Sequence, residues 1–188
     1  WQENEAEEAA KYNQVPGDPK LYDADQNYKF NNDDKVFLGN ETPKVRWSMR
    51  NEFTIFKNWN FSFSMYSYLG HIKKMDRFTN NNALLNVTNQ IVREYWTPEN
   101  PINDYPRLKA SAPVSYSIYK KASFLRFDNI SVGYSFPKTM IQKLKIQALS
   151  LNLTLKNVGV ISGWPAYDPE NSDANTPRTL LFGLNMTL

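Results

Sequence analysis

In five stretches of the chain apolar and polar residues alternate with a period of two, the signature of a β-strand with two chemically different faces. In VRWSMRNEFTIF, Val45, Trp47, Met49, Phe53 and Ile55 share one face, and Arg46, Ser48, Arg50, Glu52 and Thr54 the other. WNFSFSMYSYLG sets Trp59, Phe61, Phe63, Met65 and Leu69 against Asn60, Ser62, Ser64, Tyr66 and Tyr68. LSLNLTLK sets Leu149, Leu151, Leu153 and Leu155 against Ser150, Asn152, Thr154 and Lys156. TLLFGLNMTL sets Leu180, Phe182, Leu184, Met186 and Leu188 against Thr179, Leu181, Gly183, Asn185 and Thr187. The remaining stretch, SFLRFDNISVGYSFP, slips phase: Leu125 and Phe127 have one parity, and Ile130, Val132, Tyr134 and Phe136 the other. One extra residue near Asp128–Asn129 restores a common face, which predicts a β-bulge there.

The connections are unequal. Lys57–Asn58 is read as a tight hairpin between the first two strands. Residues 137–148 contain Pro137 at a position a first helical turn tolerates, then Met140, Ile141 and Leu144 at helical spacing, which predicts one or two turns of helix. The other connections, 1–44, 71–123 and 157–178, are long. Short and long connections alternate, the asymmetry of outer-membrane barrels, with short periplasmic turns and long extracellular loops. Trp59 and Tyr134 near strand ends suit an interfacial aromatic girdle. A soluble, carbohydrate-binding β-sandwich would share part of this pattern. It accounts less well for the wet face carrying Arg46, Arg50 and Glu52.

Composition narrows the functions. The 188 residues carry 22 Lys+Arg and 19 Asp+Glu, a net charge of +3 too weak and dispersed for nucleic-acid binding. There is no cysteine, hence no disulfide, thiol catalysis or thiolate metal site. The one histidine, His71, has no nucleophile elbow beside it and is read as a polar residue at a strand end. No P-loop occurs, and the adjacent carboxylates Glu7–Glu8 and Asp33–Asp34 read as solvated loop residues, so no catalytic constellation is expected. No apolar run reaches the length of a membrane helix, and the opening WQENEAEEAAKY is not expected to act as a secretory leader.

Two groups of loop residues carry candidate chemistry. In DADQNYKFNNDD, Asp23, Asp25, Asn27, Asn31 and Asp34 supply side-chain oxygens at positions 1, 3, 5, 9 and 12 of an EF-hand-like loop, the oxygen density a hard cation such as calcium needs. Tyr28 stands where the sharp turn favours glycine, and Asp34 where a bidentate Glu is usual. Trp96, Tyr105, Trp164 and Tyr167, with Arg107 and Asp168 beside them, offer aromatic faces and planar polar groups to a sugar, a peptide or a partner protein. The competing reading is that the Pro-rich turns WTPENP and GWPAYDP are rigid scaffolds.

Three segments resemble SusC/RagA-type TonB-dependent transporters. ASFLRFDNISVGYSFP, with Phe124, Leu125, Arg126, Ile130, Gly133, Tyr134 and Pro137, resembles a strand of that family. YWTPENPINDYPR, from Trp96 to Arg107, resembles its WTPEN…YPR segment, and WPAYDPENSDANTPRTLLFGLNMTL its YDPE loop and final strand. Leu188 stands where the family often has Phe, and Ala166 where it commonly has Gly. The resemblance implies an all-β fold: about five antiparallel strands from the C-terminal part of a large transmembrane β-barrel, spanning 1–188, without the plug and N-terminal strands. It implies a non-enzymatic role in importing oligosaccharides or peptides across the outer membrane of a Bacteroidetes-type bacterium. No cofactor beyond a calcium ion is expected. The implied partners are the rest of the transporter chain, a SusD-like lipoprotein, TonB acting through the plug, and outer-membrane lipid. Gly183, Met186 and Leu188 would belong to a closing strand that pairs with the first strand of the barrel.

Overall fold

β-Branched and aromatic residues alternating with small polar ones favour the pleated backbone, and the five alternating stretches do pair into one sheet. The computed structural model describes residues 1–75, 94–171 and 174–188. Its elements, in order, are α1 (Ala6–Lys11), β1 (Val45–Ile55), β2 (Trp59–Leu69), β3 (Ile72–Lys74), β4 (Tyr119–Lys121), β5 (Phe124–Ser135), α2 (Lys138–Ile141), β6 (Ala148–Ser162) and β7 (Thr179–Thr187). The main sheet is antiparallel with the order β1-β2-β5-β6-β7, and β3 pairs with β4 in a separate ribbon. The fold is all-β, as the alternation predicts.

The registers keep like with like across all five strands. Phe53, Phe61, Val132, Leu153 and Phe182 lie opposite one another in an unbroken apolar row. The adjacent row is Glu52, Ser62, Ser131, Thr154 and Leu181, and the next polar row is Thr54, Asn60, Gly133, Asn152 and Gly183. A one-residue slip in any strand would exchange the faces, so the register is strongly specified.

The bulge lies where the parity slip places it. Phe127 pairs with Met65 and Gly159, Asn129 with Ser64 and Lys156, and Asp128 is passed over by both ladders. Its carboxylate accepts hydrogen bonds from Ser64 Oγ at 3.1 Å and Asn129 Nδ2 at 2.9 Å.

Two connections differ from expectation. The β1–β2 turn has three residues, Phe56–Asn58, because Ile55 pairs with Trp59 and closes the ladder one residue early. Phe56 and Lys57 take left-handed backbone, with φ of +50° and +65°. β6 runs on to Ser162, so the last long connection covers 163–178 rather than 157–178. The helical connector is as expected: α2 continues into a 3₁₀ turn, Gln142–Leu144, and ends at Lys145 with φ +57°.

The chain divides into two compact units, Trp1–Gly39 with Lys73–Lys120, and Asn40–Ile72 with Lys121–Leu188. The first is built from the connections expected over 1–44 and 71–123, which do not run as separate loops. Residues 76–93, within the second of these, lie outside the described residues. Trp1, Ala9, Met75 and Trp96 form the buried apolar centre of this unit. A backbone bond from Gly17 N to Trp1 O closes its first segment, and one from Arg107 N to Gly17 O joins the two segments, both at 2.8 Å.

Candidate functional site

Small residues at the centre of the main sheet leave a hollow of about 350 Å³ in its polar face, between Arg50, Glu52, Asn60, Gly133 and Asn152. Gly133 leaves room for the Asn152 side chain: a Cβ would sit 2.6 Å from Asn152 Oδ1 and displace that amide. Without one, Asn152 lies flat across the neighbouring strand. Ser131 and Thr154 hydroxyls hydrogen-bond to each other, and Arg50 pairs with Glu52 in solvent-exposed positions.

At the other end of the polar face, two motifs far apart in sequence meet. Arg126, in β5, donates from its Nη2 to Asp168 at 2.6 Å and from Nε to Glu170 at 2.7 Å. Glu170 also accepts from Tyr66 OH at 2.6 Å. Asp168 further accepts from Glu170 N–H at 2.8 Å and Thr176 Oγ1 at 2.9 Å. Burial alone would push the Asp168 carboxyl up, but the hydrogen bonds from Arg126, Glu170 and Thr176 outweigh it and hold its pKa below the usual range. Asp168 thus anchors the connection 163–178 to the sheet. Trp164 is buried as well, while Tyr167 remains substantially exposed.

The first unit gathers the other aromatic candidates. Trp96 is only 6% exposed and donates Nε1–H to Gln2 Oε1 at 2.8 Å, so it is a packing residue with one edge on a cavity. Arg107 donates to Asp18 Oδ1 at 2.9 Å. Asp18 also accepts from Ser111 N–H at 2.9 Å and Val15 N–H at 3.1 Å. Gly17, at φ +85°, lies under the Trp96 ring, where a Cβ would come within 2.4 Å of Cε3. A cavity of about 390 Å³ opens beside this centre, lined by Trp1, Tyr22, Leu38, Trp96, Tyr105 and Tyr116 among others. Tyr105 and Trp96 are therefore brought together, while Arg107 is committed to Asp18. Sequence reading missed Gly17, Asp18 and Tyr116; the bonds of Asp18 to Arg107 and Ser111 span 89 and 93 positions and leave no local signal.

Of the five oxygen-bearing residues of the acidic loop, three converge. Carboxylate oxygens of Asp23, Asp25 and Asp34 lie within 4.8 Å of one another. Asp23 accepts from Tyr28 N–H at 2.9 Å and Tyr12 OH at 3.1 Å, and Asp34 from Asn31 N–H at 2.8 Å and Ala24 N–H at 2.9 Å. Desolvation raises the Asp23 pKa, yet the bonds from Tyr28 and Tyr12 prevail and lower it, keeping the carboxylate charged. The side-chain oxygens of Asn27 and Asn31 accept local bonds from Lys29 and Asp33 N–H. Tyr28 adopts the left-handed turn, φ +62°, that glycine would otherwise supply.

No protein-family model matches the chain. It is 25% identical over 93% of its length to TonB-dependent receptor P26 of Formosa agariphila, and 30% identical over 78% to receptor P39 of that organism. It is 31% identical over 71% of its length to the TonB-dependent receptor SusC of Bacteroides thetaiotaomicron. The chain spans 20%, 15% and 14% of those relatives' own lengths. Its fold matches a chain of the RagAB peptide importer in the open-open state with a TM-score of 0.64 at 20% identity, covering 91% of this chain and 20% of that one. The closed-closed state gives 0.63 at 21% identity, covering 90% and 20%.

Proposed function

Because the chain is a SusC-like segment of a TonB-dependent β-barrel, we propose that it forms part of an outer-membrane importer of oligosaccharides or peptides. The observation that carries this is the apolar row crossing all five strands. Phe182 is 71% exposed, Leu180 66% and Leu184 58%, and none has a covering layer in this sheet. Each such side chain left in water forgoes about 1.5–3 kcal/mol, a loss that hydrocarbon removes. Strand lengths agree: β1 and β2 have 11 residues and β7 has 9, against roughly 9–11 for a tilted strand crossing a bilayer. The β3–β4 ribbon, with three-residue strands, is too short to cover the row as the second layer of a sandwich.

In this reading the apolar face meets lipid, the polar face lines the lumen, and the hollow at Gly133–Asn152 receives the plug of the parent transporter. The short connections are periplasmic, and the long ones, which supply Tyr105 and Tyr167, are extracellular. A SusD-like lipoprotein covers that side. Transport energy comes from TonB acting on the plug. The relatives are receptors and transporters by name, not enzymes. A calcium ion at Asp23, Asp25 and Asp34 would relieve the mutual repulsion of three close carboxylates and brace the acidic loop.

Three measurements test this. Cells lacking the parent transporter should lose uptake of one cargo class, oligosaccharide or peptide, and the purified transporter should bring a surface lipoprotein with it. Unchanged uptake of both classes overturns the importer reading. For the ion, crystals of the parent transporter soaked in calcium should show anomalous density at Asp23, absent after chelation. No density at saturating calcium removes the ion from the account.

A further inference from the structure

The end of the main sheet that carries the short connections is chemically unlike the rest of the chain. The β1–β2 turn places Phe56 there at 87% exposure, in a left-handed backbone that costs a bulky residue about 1–2 kcal/mol. The left-handed pair Phe56–Lys57 fits the twist of a tight hairpin, but leaves the Phe56 ring in the open. Trp59 and Tyr134 pack beside it with ring centroids 4.8 Å apart, and Tyr134 meets Phe136 edge-on at 5.0 Å. Asn58 Nδ2 donates to Ser135 O at 2.6 Å, so this turn lies against the entrance to α2. In α2 and the turn after it, Ile141 is buried while Met140 and Leu144 point outward, 59% and 65% exposed.

The charges around this apolar rim are all of one sign. Lys57, Lys138, Lys143 and Lys145 lie in the two connections. No Asp or Glu occurs in 53–75, 129–167 or 174–188. The acidic residue nearest in sequence, Glu52, is paired with Arg50 on the polar face. Exposed aromatic and aliphatic tips ringed by unopposed lysines are the surface that an anionic lipid leaflet complements, tails against the apolar tips and headgroups against the ammonium groups. A soluble partner protein would offer no reason for the lipid-height aromatics Trp59 and Tyr134 to continue the same rim.

We propose that Lys57, Lys138, Lys143 and Lys145, with Phe56, Met140 and Leu144, form a binding surface for anionic phospholipid headgroups of the membrane leaflet at this end of the barrel. The proposal rests on the barrel reading, and supplies a partner for the strained Phe56 turn. Each near-surface lysine contributes about a fivefold preference for anionic lipid.

The test uses the parent transporter in detergent, titrated with phosphatidylglycerol or phosphatidylethanolamine of matched acyl chains and read by native mass spectrometry. The wild type should retain phosphatidylglycerol at least tenfold better. Replacing the four lysines by Gln should abolish that preference, and replacing them by Arg should preserve it. Glycerol phosphate in excess should not compete. Equal retention of the two lipids by the wild type, an unaffected Gln variant, or displacement by glycerol phosphate would each overturn the proposal. Heat-dependent mobility on a gel reports barrel folding separately. A wild type that lacks it refutes the barrel and this surface together, while a folded barrel with no lipid preference refutes the surface alone.

Discussion

Gly17 has no tolerance for a side chain. Its φ of +85° is unfavourable for any other residue, and a Cβ would collide with the Trp96 ring at 2.4 Å. Gly17→Ala should therefore destabilise the first unit by about 2–4 kcal/mol, from overpacking and backbone strain together. Limited proteolysis of the parent transporter should then cut within 1–39; an unchanged digest would show that Trp96 can move aside. Arg126 is the second sensitive residue. Arg126→Leu leaves Asp168 and Glu170 without their cation, at a cost of about 3–5 kcal/mol for a broken buried pair. The sign with pH follows from Asp168. Its folded pKa is depressed, so its contribution is complete above the ordinary carboxylate range and is lost as pH falls through the depressed value. Protease cleavage of 163–178 in the wild type should rise only in strong acid. In Arg126→Leu it should be high at neutral pH. A loop equally protected in both proteins would mean that the ion pair does not anchor it.

At the scale of elements, β5 separates the count of residues from the faces they present. Asp128 is surplus to the β2–β5 ladder, while β6 passes over Asn157 and Val158 opposite it; deleting it leaves Phe127 and Ile130 on the apolar side and Arg126 and Asn129 on the polar side. An alanine inserted between Ser131 and Val132 would instead exchange the faces of half the strand. The deletion should fold into a heat-modifiable barrel and the insertion should not; failure of both would mean that the bulge itself, with its Ser64–Asp128–Asn129 bonds, is required. The bulge was legible because a parity slip is a local arithmetic fact. The strands were legible for the same reason, since period two is set by the backbone and survives any tertiary context. Other features left weaker traces. Phe56 is apolar at a polar parity of β1, and the pairing of Ile55 with Trp59 shows it to be a turn residue. β6 extends past Asn157, whose φ of +54° interrupts the alternation. The first unit had no periodicity to read, because Asp18–Arg107 and Gln2–Trp96 join residues 89 and 94 positions apart. FLR and YDPE were each visible as motifs, but their joining through Arg126 is a property of the folded loop.

For the whole molecule the decisive contrast lies between neighbouring residues of one strand. Leu153 stands in the apolar row and Thr154 in the polar one. Leu153→Arg should cost about 2–4 kcal/mol if it sits at the bilayer midplane, whereas a lumen-facing Thr154→Arg should alter selectivity more than stability. Equal effects would contradict a membrane on one side only. Among the described residues the sheet also has two free edges, β1 and β7. A free edge offers unpaired N–H and C=O groups to any other strand, and in hydrocarbon each unsatisfied group costs several kcal/mol. Detergent can cover the apolar row, but it cannot pair these edges. The 188-residue chain expressed by itself should thus aggregate in plain buffer and stay polydisperse in detergent. Refolding it together with the remaining strands of the parent barrel should yield one heat-modifiable species, because only those strands supply partners for both edges. A monodisperse monomer in plain buffer would refute this argument at its root, since it would require the apolar row and both edges to be satisfied within the chain.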